Sequence, residues 1–194
     1  MKDGDYMRVI TGLAKGRRLR TLEGSDVRPT TDRVKEGVFS ALSFKIEGRV
    51  FLDLFSGSGQ MGIEALSRGA KSATFVDSSK KSLSVISENI KKCQFEDKAK
   101  VVPADVKTFL KMTNEKFDIV YIDPPYRMGL IDEVLPLVCK CVKETGTILC
   151  EHPVDEKIIE NCCDFSLDRE YRYGKIKVSS FCRKMSDENA EGTL

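Results

Sequence analysis

An acid, two prolines and an aromatic ring stand together at Asp123-Pro124-Pro125-Tyr126, directly after the apolar run of residues 117–122. Because proline has no N–H for a sheet ladder and fixes φ, the backbone must leave a strand here in a rigid turn. The Asp123 carboxylate and the Pro124 carbonyl could each accept one N–H of a planar amine, while Tyr126 stacks on its ring. This chemistry suits the amino nitrogen of an unpaired or flipped nucleobase. In isolation, the same residues could also form a plain turn with a packing tyrosine.

A glycine-rich segment follows the first strand of the predicted sheet and is typical of a loop that binds a nucleotide-like ligand. Three glycines in it fit the pattern G-x-G-x-x-G, and a helix that begins near Gln60 would aim free N–H groups at the ligand. The candidate cofactor contacts here are Asp53, Phe55, Ser56, Gly57 and Gly59. The pattern alone is compatible with both a nicotinamide dinucleotide and S-adenosylmethionine, since both contain an adenosine ribose.

Acids at the ends of three successive strands favour S-adenosylmethionine over a nicotinamide dinucleotide. The Asp53 carboxylate disfavours a nearby pyrophosphate but suits the positively charged methionine end of S-adenosylmethionine. Asp77, with Ser78 beside it, could accept hydrogen bonds from the ribose hydroxyls. Asp105 could accept from the adenine amino group while Val106 packs on the ring. The three acids could instead only cap helices, which is a common role of aspartate.

A basic segment near the N-terminus is typical of a surface that binds a polyanion. Residues 8–35 contain eight basic and three acidic side chains, although the formal net charge of the whole chain is only +2. Such a cluster beside a near-neutral body favours a nucleic-acid partner over a merely solvated face. The candidate RNA contacts are Arg8, Lys15, Arg17, Arg18, Arg20, Arg28, Arg33 and Lys35.

The composition predicts a cytoplasmic protein without a bound metal. The seven cysteines include no Cys-x-x-Cys pair and the only histidine is His152, so the paired ligand spacing of a zinc site is missing. We expect reduced thiols that pack as small hydrophobic groups, and a histidine that packs or lies at the surface. No apolar run approaches the roughly 20 residues that cross a membrane.

The elements that must position these residues alternate along the chain, which predicts an α/β fold. Five β-then-α units with apolar strands indicate a parallel sheet covered on both faces, and two last strands around Gly174 indicate an antiparallel ending. The predicted strands are 50–55, 72–77, 100–103, 117–123, 146–151, 166–173 and 175–183. The predicted helices are 60–68, 79–92, 106–112, 131–142 and 155–161. Residues 7–22 predict a β-hairpin, and Thr31 or Asp32 could cap the helix after it.

With these residues assembled, the chain resembles the S-adenosylmethionine-dependent methyltransferases of the Rossmann-like class. The residues that match this class in order and spacing are Asp53-x-Phe55-x-Gly57-x-Gly59, Asp77, Asp105 and Asp123-Pro124-Pro125-Tyr126. The resemblance implies a class I fold with seven strands, of which the last is antiparallel. It also implies S-adenosylmethionine as the cofactor, with Asp123 beside its methyl group as a further cofactor contact.

The N-terminal segments are similar to those of the bacterial 16S ribosomal RNA guanine-N2 methyltransferases. These segments are Arg8-Val9-Ile10-x-Gly12, Lys15-Gly16-Arg17-x-Leu19, Arg28-Pro29-Thr30-x-Asp32-Arg33-Val34-Lys35-Glu36 and Phe39. The resemblance covers residues 7–183. It implies methyl transfer to N2 of a guanine in 16S rRNA of the small ribosomal subunit or its assembly precursor, and we expect a monomer.

The domain organisation follows from this resemblance and from the predicted elements. We expect a disordered extension at residues 1–6 and a hairpin and helix that contact RNA at residues 7–44. The methyltransferase domain is expected at residues 45–183, and a disordered tail at residues 184–194.

Other functions stay open on the sequence. An adenine-N6 DNA or RNA methyltransferase or a protein glutamine methyltransferase would use a related turn, although glutamine enzymes generally carry Asn where this chain has Asp123. A catalytically silent RNA-binding assembly factor could keep the same fold, but the intact Asp53 and Asp123 argue against it. The turn by itself does not choose guanine over adenine.

Overall fold

Within the part of the chain that the structure describes, eight strands form one sheet between helices. The computed structural model describes residues 7–22, 32–42 and 46–184. Its strands are β1 (Val50–Leu54), β2 (Ser72–Asp77), β3 (Ala99–Pro103), β4 (Phe117–Ile122), β5 (Val142–Pro153), β6 (Asn161–Cys162), β7 (Phe165–Tyr173) and β8 (Ile176–Arg183). Its helices are α1 (Asp32–Ala41), α2 (Gln60–Ser67), α3 (Lys80–Cys93), α4 (Val106–Met112) and α5 (Leu130–Cys141), with a 3-10 turn at Glu96–Lys98. None of these described helices has the length and apolar character that a membrane span requires.

The sheet order β3-β2-β1-β4-β5-β8-β7-β6 joins a parallel part to an antiparallel end. The strands from β3 to β5 in this order are parallel neighbours, whereas β8, β7 and β6 continue the sheet in antiparallel pairs. This confirms the predicted Rossmann-like α/β fold with a mostly parallel sheet. The sheet has one strand more than the seven expected, because the two-residue strand β6 pairs with the edge of β7.

Alternate residues of each central strand face opposite layers of the core. In β4, Tyr121 packs in one apolar cluster with side chains of α1, α2 and α3, while Val120 and Ile122 pack in a second cluster with side chains of α4 and α5. Every residue of β4 is buried. Both faces of the sheet are therefore covered, as the apolar composition of the strands predicts.

Residues 7–22 fold back on themselves as a short, irregular β-hairpin, which confirms the predicted N-terminal hairpin. A single antiparallel bridge joins Arg8 and Arg18, and the Leu19 N–H donates to the Met7 carbonyl at 2.8 Å. The pairing continues toward the tip, where the Val9 N–H donates to the Arg17 carbonyl at 3.0 Å and the Gly16 N–H donates to the Val9 carbonyl at 2.8 Å. Other N–H groups of the tip donate to α2. The Leu13 and Ala14 N–H groups, for example, donate to the Ser67 carbonyl and hydroxyl at 2.8 and 3.0 Å. We call residues 7–22 the basic loop.

The predicted helix at residues 155–161 is wrong. This stretch runs as turns and irregular backbone and then enters β6. Its N–H and carbonyl groups have partners outside the segment, since the Ile159 N–H donates to Asp132 Oδ1 at 3.0 Å and the Glu160 carbonyl accepts from Leu167 N–H at 2.8 Å. Tertiary hydrogen bonds therefore replace the helical ones that the local sequence favours.

Some predictions fall outside the described residues. These are the extension at residues 1–6, the helix cap at Thr31, the RNA contact at Arg28 and the tail from residue 185. The division into an N-terminal and a methyltransferase domain stays a prediction. The apolar side chains Met7, Val9 and Leu19 of the basic loop belong to the same buried cluster as Phe51 and Phe75 of the sheet.

Candidate active site

The site forms where β1 lies between β2 and β4, the point at which the strand order reverses. Parallel strands end at the same edge of a sheet, and crevices at such a reversal are the usual ligand sites of open α/β sheets. Asp53 and Leu54 of β1 pair in register with Tyr121 and Ile122 of β4. The glycine loop after β1 and the turn after β4 therefore leave the sheet side by side.

The glycine loop, residues 55–59, is held in a left-handed turn by side chains from neighbouring strands. Gly59 has φ 76° and immediately precedes α2, and a Cβ there would lie 3.2 Å from Ile86 Cγ1. The Gly57 N–H donates to Asp77 Oδ2, and the Gly62 N–H donates to Asp53 Oδ2, both at 2.9 Å. Asp77 therefore holds the glycine loop, and Asp53 holds the first turn of α2 that follows it.

Asp53 is a buried carboxyl group with an altered ionisation. Its residue is 2% exposed, and burial raises its pKa from the ordinary value to about 8, even though the Gly62 N–H opposes this shift. The negative charge of Asp77 also raises the pKa. A positively charged ligand beside Asp53 would therefore favour its ionised form.

The other two strand-end acids have backbone partners as well. Asp77 is half-buried, and its Oδ1 accepts from the Ser79 N–H at 2.8 Å. Asp105 is exposed and caps α4 by accepting from the Thr108 N–H at 3.0 Å. Asp105 therefore has the helix-capping role that the sequence left open. Its carboxylate can accept further hydrogen bonds besides this one. Val106 is buried in the second apolar cluster, whereas Ser78 is exposed.

The turn after β4 presents Asp123 and Tyr126 at this crevice. Asp123 and Tyr126 are half-buried, Pro124 is buried and Pro125 is exposed. Burial and the charge of Glu151, together with the charges of Asp123 and Asp53, raise the pKa of Tyr121 well above its usual value. Asp53 pairs in register with Tyr121, Glu151 accepts from the Tyr121 hydroxyl, and Asp123 lies two residues further along the chain, so acids of β1, β5 and the turn after β4 lie around Tyr121.

Glu151 is a site residue that sequence reasoning missed. It lies near the end of β5 and is 2% exposed. Its Oε1 accepts from the Tyr126 hydroxyl at 2.9 Å, and its Oε2 accepts from the Tyr121 hydroxyl. The available signal was an acid in the otherwise apolar strand at residues 146–151, at the same sheet edge as the turn.

The basic loop borders the glycine loop. The Asn89 amide of α3 donates to the carbonyls of both Arg20 and Ser58 at 3.0 Å, and its Oδ1 accepts from the Arg20 N–H at 2.7 Å. Ser58 Oγ also lies 3.5 Å from Met7 Sδ. The predicted RNA surface and the predicted cofactor loop are therefore joined through one buried asparagine.

The predicted basic contacts differ in how they are placed. Lys15, Arg18 and Arg33 are exposed, and Arg8 is exposed beside Asp32 at 3.3 Å. Arg17 donates to the Lys92 carbonyl and Arg20 to Glu88, so both reach across to α3.

The prediction that Lys35 contacts RNA does not agree with the structure. Its side chain is 0% exposed, and its Nζ donates to the Arg8 carbonyl at 2.6 Å. Burial lowers the pKa of this lysine, while the charges of Glu64 and Asp32 oppose that shift. A fully buried ammonium cannot contact a phosphate, so Lys35 stabilises the basic loop from beneath.

His152 and the cysteines have packing contacts of their own. His152 is buried, with Nδ1 at 3.0 Å from the Pro153 carbonyl and Nε2 at 2.8 Å from Ser179 Oγ, which confirms a packing role. All seven cysteines are free thiols. The thiols of Cys139, Cys162 and Cys163 lie within 4.8 Å of one another, a cluster that their spacing in the sequence did not predict. The absence of a bound metal stays a prediction.

Comparison with known proteins identifies the family of the chain. A family model described as Conserved hypothetical protein 95 matches residues 7–182. The chain belongs to this family. The matched residues include both the basic loop and the sheet.

Relatives of this Conserved hypothetical protein 95 chain carry names that agree with the predicted resemblance. The ribosomal RNA small subunit methyltransferase D of Haemophilus influenzae is 37% identical over 79% of this chain and 82% of the relative. The Escherichia coli K12 protein of the same name is 31% identical over 94% of this chain and 93% of the relative. A Bacillus subtilis protein, YlbH, described as a candidate rRNA methyltransferase, is 34% identical over 92% of this chain and 100% of its own length.

Solved structures show the same architecture. The Escherichia coli protein yhhF, described as a candidate methyltransferase, has a TM-score of 0.83 and 32% identity, and the match covers 92% of this chain and 98% of that one. A Thermus thermophilus protein has a TM-score of 0.77 and 27% identity, over 92% of this chain and 99% of that one. The resemblance to the small-subunit ribosomal RNA methyltransferases is therefore confirmed.

Proposed function

We propose that the protein is a ribosomal RNA methyltransferase that methylates the exocyclic N2 of a guanine in 16S rRNA of the small ribosomal subunit or its assembly precursor. The observation that carries this proposal is the convergence of the glycine loop with the Asp123–Tyr126 turn at the reversal of the strand order. The relatives named small subunit methyltransferase D support the RNA substrate. The substrate suits a cytoplasmic protein, and we expect a monomer.

The residues present fit S-adenosylmethionine as the methyl donor. When bound, this cofactor supplies an electrophilic methyl group on a positively charged sulfur. The buried Asp53 would face its cationic methionine end, and the N–H groups of the glycine loop and the partly exposed Asp77 would hold the rest of the nucleoside. Ser78 and Asp105 are exposed; Ser78 directly follows β2, and one residue separates Asp105 from the end of β3.

The chain's own contribution to the reaction is positioning and charge stabilisation. A guanine amino group is a poor nucleophile, because its lone pair is delocalised into the ring. The Asp123 carboxylate and the Pro124 carbonyl accept its two N–H bonds, which directs the nitrogen lone pair at the methyl group. The Asp123 charge also stabilises the positive charge that develops on nitrogen as the methyl–sulfur bond breaks to leave a neutral thioether, and the nitrogen then loses one proton to solvent. The Tyr126 ring stacks on the base, which contributes roughly 1–3 kcal/mol.

Methyl transfer with product analysis tests this function. Labelled S-adenosylmethionine is incubated with small-subunit particles and, separately, with naked 16S rRNA, and the label is followed into single nucleosides. We expect N2-methylguanosine from RNA. If the label is found in N6-methyladenosine, the substrate is adenine and not guanine. Label only in protein would favour a glutamine methyltransferase. No label in any fraction would favour the silent assembly factor.

Cofactor affinity should depend on pH through Asp53. Without ligand, Asp53 is protonated below a pKa of about 8, whereas the cationic cofactor binds its ionised form better. The dissociation constant of S-adenosylmethionine should therefore increase as the pH falls below this pKa, by up to about tenfold per pH unit, and level off above it. Isothermal titration calorimetry between neutral and mildly alkaline pH measures this. The matched control is Asp53→Asn, which can still accept from the Gly62 N–H but does not ionise, so its pH profile should be flatter; equal slopes would remove Asp53 from the methionine site.

RNA affinity should depend on salt through the basic loop. Lys15→Gln with Arg18→Gln removes two exposed charges, so the slope of log affinity against log salt should become shallower by about 0.7 for each phosphate that these side chains no longer neutralise. The control is Lys111→Gln with Lys140→Gln, which removes two exposed charges from α4 and α5 on the opposite face of the sheet. If both pairs change the slope equally, the basic loop is not the RNA surface.

A further inference from the structure

Glu151 is placed to hold the aromatic ring of the reaction turn. In the parallel pair β4–β5, Ile122 pairs with Cys150, so Asp123, which directly follows β4, and Glu151 of β5 come next along two neighbouring stretches of chain. Neighbouring strands lie roughly 4.7–4.9 Å apart, and residues at equivalent positions point to the same face. The Glu151 carboxylate therefore lies beside the turn and within reach of Tyr126.

The two oxygens of Glu151 connect a partly exposed side chain to a buried one. Oε2 accepts from Tyr121, whose side chain is fully buried within the first apolar cluster. Oε1 accepts from Tyr126 at 2.9 Å, and Tyr126 is only half-buried. Because a buried carboxylate strongly favours hydrogen-bond donors, both hydroxyls are held in place by one group.

The backbone after Tyr126 needs such support. Arg127 has a left-handed φ of 60°, which costs a non-glycine residue roughly 1–2 kcal/mol. Its N–H donates to Glu156 Oε2 at 3.2 Å, and its guanidinium donates to Asp155 Oδ2 at 2.9 Å on the surface. The end of β5 and the residues after it thus contact the turn through Glu151, Asp155 and Glu156, and of these three acids Glu151 is buried.

We propose that Glu151 is a positioning residue of the methyl-transfer site, which fixes the plane of the Tyr126 ring and so aligns the stacked base with Asp123. This inference rests on the proposed function. It predicts that Glu151 affects the rate of transfer through Tyr126 and leaves cofactor binding unchanged.

A double-mutant cycle tests the proposal. Tyr126→Phe removes the hydroxyl but keeps the ring and the Glu151–Tyr121 bond, so the fold is preserved. We expect kcat to fall roughly 10- to 100-fold, because a small misplacement of the reacting group has an effect of this size, with an unchanged dissociation constant for S-adenosylmethionine. Glu151→Ala should lower kcat at least as much, and the double variant should be no slower than Glu151→Ala alone. Glu151→Gln, which keeps an acceptor for one hydroxyl and offers a donor to the other, should restore part of the rate.

Surface contacts provide the matched control. Asp155→Ala removes the exposed ion pair with Arg127, and such pairs contribute little, so kcat should change less than about twofold. Wild-type kcat in Tyr126→Phe, or multiplicative effects of Glu151→Ala and Tyr126→Phe, would overturn the proposal. Failure of the Glu151 proposal leaves the proposed function intact if Asp123→Ala is inactive and the product remains N2-methylguanosine. A different product would overturn the proposed function itself.

Discussion

The Asp123→Ala variant should lose methyl transfer by about 10²- to 10³-fold or more, which is the effect of removing one preorganised electrostatic partner of a transition state. The carboxylate is the acceptor that orients the amino group, and its charge stabilises the developing positive charge on nitrogen. Its removal leaves only the Pro124 carbonyl. S-adenosylmethionine should still bind with an affinity close to that of the wild type, because Asp53, Asp77 and the glycine loop remain in place.

Single-turnover methyl transfer and calorimetric cofactor binding separate these two effects. Asp123→Asn is the matched control, since its side-chain oxygen can still accept one N–H but carries no charge. We expect this variant to be intermediate in rate. Normal turnover by Asp123→Ala would contradict the catalytic role of Asp123, and a parallel loss of cofactor binding would show that Asp123 mainly holds the cofactor.

Of the proposed variants, Gly12→Ala should have the largest effect on stability. Its free energy of unfolding should be lower than that of the wild type by roughly 2–4 kcal/mol. Gly12 has φ +86°, and a Cβ there would lie 1.8 Å from the Ser67 carbonyl oxygen. That oxygen accepts from the Leu13 N–H at 2.8 Å, so the loop must move away from α2 and break this bond. Backbone atoms, unlike the end of a flexible side chain, cannot shift cheaply.

Urea unfolding of Gly16→Ala provides the control for Gly12→Ala. Gly16 lies in the same loop with φ +81°, but a Cβ there would have no atom within 4 Å. Its substitution carries only the backbone strain of about 1–2 kcal/mol. Because Gly12→Ala displaces the basic loop, it should also weaken RNA binding more than cofactor binding; equal stability of the two variants would mean that the loop does not dock on α2.

Much of the fold could be predicted because it is encoded by local patterns. The apolar strands at 50–55, 72–77 and 117–123 and the helix at 106–112 agree with the structure to within a residue or so at their ends. The glycine loop and the Asp123–Tyr126 turn were predicted at the same sheet edge, since parallel strands place their carboxyl ends together. The comparisons confirmed the family, whereas the roles of the individual site residues stay predictions.

The errors came from contacts between distant parts of the chain. Residues 155–161 favour a helix by themselves, but the Ile159 N–H donates to Asp132 instead. Lys35 belongs to a basic run and is predicted at the RNA surface, yet its side chain is fully buried and donates to the Arg8 carbonyl.

The sequence by itself determined the alternation of strands and helices, the glycine loop and the turn at Asp123, because each depends on residue types at short, fixed spacings. Only the tertiary structure decided what those residues contact. Glu64 binds the Ile10 N–H across 54 positions, and Glu151 binds Tyr126 across 25. Such pairs leave no periodic signal in a single chain, since the fold brings them together only after the strands have set their order.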